Sequence, residues 1–75
     1  MEKGFKNTLG DIIQDFLYVW EMSTVELSVR LGVTMGEMRE LINNETHISK
    51  ETAVRFEEIS EVPAGVWMSL PTQPE

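Results

Sequence analysis

Cysteine is absent from the 75-residue chain, which excludes disulfides and thiolate metal sites. The only histidine, His47, has no adjacent carboxylate with which to build a metal or nucleophile site, and reads as an ordinary loop residue. No apolar run approaches transmembrane length and no basic-then-apolar leader opens the chain, so a cytoplasmic protein without a membrane role is expected. Gly32 and Gly36 do not lie between a strand and a helix, so no phosphate loop is expected. Glu57, Glu58 and Glu61 read as a solvated helix end and not as a cation site. Internal repeats and low-complexity segments are also missing. The expectation is a protein that is not an enzyme, with no catalytic residue, no metal ligand and no cofactor.

Positive charge is scarce as well. Six basic residues face thirteen acidic ones, for a formal net charge of −7. The bases are scattered as Lys3, Lys6, Arg30, Arg39, Lys50 and Arg55. A nucleic-acid binder usually carries a basic patch, and none is visible here. The balance argues against strong non-specific affinity for DNA.

What is present is enough apolar material for a fold: 41% of residues are hydrophobic, too many for a disordered chain. A single domain of this length sits near the lower limit of self-sufficiency. It buries only about 60% of its unfolded surface, so a dimer contact or another partner would help it.

The centre of the chain is Ser23 to Asn44, STVELSVRLGVTMGEMRELINN. Ser23 and Thr34 each precede a glutamate by three positions (Glu26, Glu37), the capping-box spacing that satisfies orphan N–H groups at a helix start. Gly32 follows Leu31, where a left-handed residue ends a helix at low cost. Leu27 and Leu31 line one helix; Met38, Leu41 and Ile42 form the apolar stripe of the next. Ser28 is small where the two helices would cross, and Val33 plugs the turn. The whole reads as a helix-turn-helix.

Around this motif, residues 1–7 read as a flexible leader. Leu9 to Trp20 reads as an amphipathic helix capped by Thr8 with Asp11, its apolar positions Ile12, Phe16 and Trp20 spaced i, i+4, i+8 beside Ile13 and Leu17. Asn43 to His47 is a polar loop. Ser49 caps a helix from Lys50 to about Ser60 with Ala53, Phe56 and Ile59 inward; Glu51, Arg55 and Glu58 form its solvated charge face. Pro63 opens a last short helix carrying Val66, Trp67 and Leu70, and residues 71–75 read as a flexible tail. Trp20 and Trp67 are both expected to be largely buried, in the core or at a dimer contact.

Five short helices with the second and third forming the turn motif resemble the phage-repressor-like helix-turn-helix domain. Within that xenobiotic-response-element family, the chain is most similar to the HigA-type antitoxins. Three stretches carry the resemblance. Gly10-Asp11-Ile12-Ile13 resembles the family's opening G-E-hydrophobic-L. Ser23 to Leu27 and Arg30 to Thr34 resemble its L-S-x-x-E-L-A-x-R-L-G-V-S. Ile48-Ser49, Thr52 to Glu57 and then Trp67 resemble I-T-x-x-x-A-x-R-L-E and a following tryptophan. The resemblance implies an all-α, five-helix lambda-repressor-like helix-turn-helix domain over residues 8–70, with a toxin partner and self-repression. This chain departs from the pattern at Met35 and Gly36, where a long polar residue is common, at Glu37 and Glu40, and at Asn43-Asn44-Glu45-Thr46-His47, which lacks the two bases of N-G-K-R-P.

Two functions follow. In the first, the chain is a small sequence-specific transcription regulator or antitoxin that binds double-stranded operator DNA as a homodimer. A recognition helix from about Met35 to Asn43 enters the major groove. Thr34, Met35, Gly36, Arg39, Glu40 and Asn43 then face the bases, with Arg39 suited to guanine, Asn43 to adenine and Glu40 to a cytosine amine. Thr24 and the N-termini of both motif helices hold phosphates. The bland alternative for Arg39 is a surface salt bridge to Glu37 or Glu40; for Glu37 it is a helix cap. In the second function, the chain is an acidic helix-turn-helix-derived interaction module that has lost DNA and binds a toxin or regulator.

Overall fold

The computed structural model describes residues 8–73. The leader expected over residues 1–7 and residues 74–75 of the expected tail lie outside the described residues. Among the described residues the fold is all-α, with five helices and no strand: α1 (Leu9–Val19), α2 (Thr24–Leu31), α3 (Met35–Ile42), α4 (Lys50–Ser60) and α5 (Ala64–Ser69). None of them is long and apolar enough to cross a membrane.

Local chemistry sets where the helices start. Thr8 Oγ1 accepts the Asp11 N–H, and the Asp11 carboxylate accepts the Thr8 N–H, both at 3.2 Å. Thr34 and Glu37 repeat this reciprocal pair at the start of α3, at 3.0 and 2.8 Å. Each pair satisfies two donors that the helix leaves orphaned. The box expected at α2 forms only in half. Ser23 Oγ accepts the Glu26 N–H at 3.0 Å, but the Glu26 carboxylate turns forward to Arg30 at 3.0 Å. A guanidinium one turn ahead offers a charge-assisted bond where the Ser23 N–H offers a neutral one. Ser49 Oγ accepts the Thr52 N–H at 3.2 Å to start α4. At α5 the N-cap is Pro63, which has no side chain to offer. There the Glu57 carboxylate accepts the Ala64 N–H instead, at 2.9 Å.

Gly32 closes α2 in the left-handed region, at φ +73°, where a side chain is strained. A Cβ at this position would also collide with the Arg55 guanidinium. Arg55, expected on a solvated face, reaches across from α4. Its Nη1 donates to the Leu31 carbonyl at 3.1 Å while Nη2 pairs with Glu51 at 3.1 Å. The last carbonyls of α2 have no intrahelical partner, and a cation at a helix C-terminus is favoured by the dipole. The arginine therefore ties α4 to the turn of the motif.

The core takes Leu9, Ile13 and Phe16 from α1, Leu27 and Leu31 from α2, Met38 and Leu41 from α3, Ala53 and Phe56 from α4, and Trp67 from α5. An aromatic row crosses it. Trp67 stacks on Phe56 with centroids 3.8 Å apart, Phe56 meets Phe16 edge-on at 5.0 Å, and Phe16 stacks on Trp20 at 5.4 Å. The row runs from inside to outside: Trp67 is 1% exposed and Trp20 52%. Of the two places expected for it, the core or a dimer contact, Trp20 is thus not in the core. The α-helix ends at Val19, and Trp20, as its C-cap, keeps only one ring face against Phe16.

Where α1 crosses the end of α3 the backbones touch. Gly10 is buried, and a Cβ on it would strike the Ile42 carbonyl, lying 2.8 Å from its carbon. Asn44, at φ +62°, locks the crossing. Its Oδ1 accepts the Gly10 N–H at 2.8 Å and its Nδ2 donates to Thr8 Oγ1 at 3.0 Å. At the α2–α3 crossing the small residue is Ser28, buried, with its hydroxyl donating to the Val25 carbonyl at 2.7 Å. Past α5 the chain returns to α1: the Pro71 carbonyl accepts the Leu9 N–H at 2.7 Å.

Candidate nucleic-acid interface

Helix α3 is held from one side only. Met38 and Leu41 are buried and Ile42 is half-buried, so the opposite side is left to solvent by the helical period. Gly36, Arg39, Glu40 and Asn43 are all exposed and fall together on that open side. Four of the residues expected to face bases are therefore brought onto one face. Thr34 is exposed at the N-cap. Met35 is half-buried on the flank of α3, and Thr24 is half-buried at the first position of α2.

Arg39 makes no ion pair among the described residues, so the salt bridge to Glu37 or Glu40 is not formed and the residue is exposed. Glu37 does act as a cap, through its bond to the Thr34 N–H. That bond narrows what the start of α3 offers an anion. The Thr34 and Glu37 N–H groups are taken within the box, leaving those of Met35 and Gly36 without a partner among the described residues. The Glu37 carboxylate next to them weakens the pull of the helix dipole on a phosphate. At α2 the Glu26 N–H is likewise taken, by Ser23.

Electrostatically the face is mixed and slightly acidic. Glu37, Glu40 and Glu45 are exposed beside Arg39, three carboxylates against one guanidinium. A shallow cleft of about 220 Å³ runs between α3 and the start of α4, with Glu37, Glu40 and His47 among its walls. Among the described residues no three His, Cys, Asp or Glu side chains converge closely enough to hold a metal ion.

Sequence reasoning missed two residues that position this face, Asn44 and Arg55. The signal for Asn44 was its residue type, since asparagine tolerates the left-handed region. Arg55 carried none beyond its place in the family-like run.

No protein-family profile matches the chain, and no curated protein matches it in sequence. Solved structures do. A hypothetical protein from E. coli superimposes with a TM-score of 0.77 at 27% identity, covering 88% of this chain and 68% of that one. The antitoxin HigA of Pseudomonas aeruginosa, solved with the higBA promoter, superimposes with a TM-score of 0.78 at 23% identity, covering 91% of this chain and 75% of that one. The helix-turn-helix arrangement of the fold is shared with that antitoxin.

Proposed function

We propose that this chain is a small sequence-specific DNA-binding regulator, a transcription regulator or HigA-type antitoxin, acting in the cytoplasm as a homodimer on its operator. The observation that carries the reading is the mounting of α3, with its apolar stripe buried and Gly36, Arg39, Glu40 and Asn43 together on the open face. The likeness in fold to an antitoxin solved with its promoter supports it.

In this reading α3 lies in the major groove with its N-terminal turn leading. Arg39, exposed on this face, donates to guanine; Asn43 pairs with adenine; Glu40 accepts from a cytosine amine. Gly36 and Met35 give close and apolar approach near the helix start. The Thr34 and Thr24 hydroxyls, with the N–H groups of Met35 and Gly36, hold phosphates. Specificity is then large relative to affinity, since few cations stand near the backbone. Binding to the DNA upstream of its own gene, titrated with salt against random duplex, tests this. The expected result is retardation of the specific duplex with a shallow salt slope. No binding to either duplex at low ionic strength would overturn it.

The acidic balance favours a second reading, an interaction module on the same frame that meets a toxin or another regulator. It predicts no retarded DNA, and partner binding disturbed by changes at Met35, Gly36 or the neighbouring carboxylates.

A further inference from the structure

Away from α3, an apolar groove opens between the second half of α1 and the link from α4 to α5. Phe16 and Trp67 form its floor, and Ile12, Val19, Trp20 and Val62 its walls, around about 260 Å³. Val19 is 71% exposed and Trp20 52%, two adjacent apolar side chains left to solvent beside the groove. The volume falls below the roughly 300–1,000 Å³ of small-molecule sites, and suits a few inserted side chains.

Charge says what kind of side chains. All four basic residues among those described, Arg30, Arg39, Lys50 and Arg55, lie between positions 30 and 55. Helix α1, helix α5, the second half of α4 and the link between α4 and α5 carry none. One acid lines the groove and two more neighbour its lining residues in the chain. Asp15 lines it, Glu21 follows Trp20, and Glu61 precedes Val62. Glu21 and Glu61 sit at φ +53° and +67°, where glycine would be held at lower energy. α4 thus ends on a carboxylate in a conformation that disfavours it, and the chain passes through another just after the cap of α1. A second copy of this chain would bring the same surface, without a cation among the described residues, against itself, and like charges across an interface are costly.

We infer that this groove receives a basic amphipathic helix from a partner polypeptide, its apolar residues seated against Val19, Trp20 and Val62 and its lysines or arginines facing Asp15, Glu21 and Glu61. What such a helix would cover is the exposed surface of Val19 and Trp20, and a few large apolar residues carry most of the energy at an interface. The surface shares no residue with the exposed face of α3, so the inference stands whether or not the chain binds DNA.

The test uses the full chain and a synthetic peptide of leucine and lysine only, with leucines at i, i+3, i+4 and i+7. Its control has glutamate in place of every lysine. Calorimetry is expected to show the lysine peptide binding at least about tenfold tighter than the control, with salt weakening it. Backbone amide shifts are expected to change in α1 and from Glu61 to Trp67. Val19→Asp, at a solvent-facing site, is expected to abolish binding without unfolding the chain. The double variant Glu21→Gly with Glu61→Gly is expected to melt higher yet bind about tenfold more weakly, a combination that loss of structure does not produce. Glu40→Gln on α3 with Glu45→Gln in the turn after it is expected to leave binding unchanged.

Equal binding of both peptides, or shifts mapping to α3, would overturn the inference. So would a dimer in sedimentation that Val19→Asp dissociates, since a second copy would then fill the groove. A tenfold gain in affinity on removing residues 1–7 would give the groove to the chain's own Lys3–Lys6 segment and overturn it too.

Discussion

Asn44 accepts the Gly10 N–H at 2.8 Å across 34 positions of chain, and so joins the end of the motif to the start of α1. The same side chain donates to the capping hydroxyl of Thr8 at 3.0 Å, while its backbone stays left-handed at φ +62°. Alanine there loses both bonds and adds backbone strain; glycine loses the bonds alone. Asn44→Ala is expected to cost about 2–3 kcal/mol, and Asn44→Gly about 1 kcal/mol less. Urea midpoints for the two variants measure the difference. Equal midpoints would mean that the left-handed backbone carries no cost here.

The two tryptophans are expected to separate sharply. Trp67 is buried, stacked on Phe56 at 3.8 Å, with its indole N–H donating to Ser60 Oγ at 3.2 Å. Trp67→Ala removes a core aromatic and leaves a cavity, for a loss of about 3 kcal/mol or more. Trp20 keeps only a surface stack on Phe16, so Trp20→Ala costs about 1 kcal/mol. Chemical denaturation of both variants side by side reads this contrast, and comparable losses would refute it.

Gly36 occupies the first turn of α3, and a Cβ there meets only Thr34 Oγ1, at an ordinary 3.8 Å. Nothing opposes the intrinsic preference for alanine, worth up to about 1 kcal/mol. Gly36→Ala is therefore expected to raise the melting temperature. If DNA binding weakens while stability rises, the glycine serves close approach to a partner; a lowered melting temperature contradicts the helix start at Met35.

For α3 as a reading helix, Arg39→Ala is expected to cost about 1–3 kcal/mol of operator affinity and to relax preference at one base pair. Glu40→Gln with Glu45→Gln removes two carboxylates from the face and is expected to strengthen binding to random duplex. Each phosphate newly neutralised steepens the salt slope by about 0.9. Affinity of the double variant for random DNA, measured across salt, checks this; no gain would separate these carboxylates from the nucleic-acid surface.

The parts of this fold legible in the sequence are those decided within one helical turn. Thr8 with Asp11, Thr34 with Glu37, and Gly32 after Leu31 each act over a few residues, and all three form as the spacing indicates. Glu26 shows the limit of that logic, because Arg30 competes for the same carboxylate at the same range. The ties from Asn44 to Thr8 and from Arg55 to Leu31 span 36 and 24 positions, and no local spacing announces them. Trp20 fits the apolar period of α1 yet lies outside, since periodicity gives a direction around the axis and not the depth of cover at a helix end. For α3 the same periodicity sufficed: once Met38 and Leu41 turn inward, Gly36, Arg39, Glu40 and Asn43 follow outward. Helical spacing gives the direction those four side chains face and says nothing of a partner.

The bare Cα of Gly10 against the Ile42 carbonyl has a consequence for how this chain can change. The close approach of α1 to α3 is made by main chain and locked by the Asn44 side chain, on the side of α3 away from its open face. Positions 36, 39, 40 and 43 take no part in it. They can be rewritten together, as a code is rewritten on a fixed reel, while the helix keeps its seat. Gly10 itself has no such freedom, since any larger residue lifts α1 off the end of α3. The frame is therefore conservative at one buried atom and permissive at four exposed side chains, an arrangement that lets partner choice drift without asking the fold to be found again.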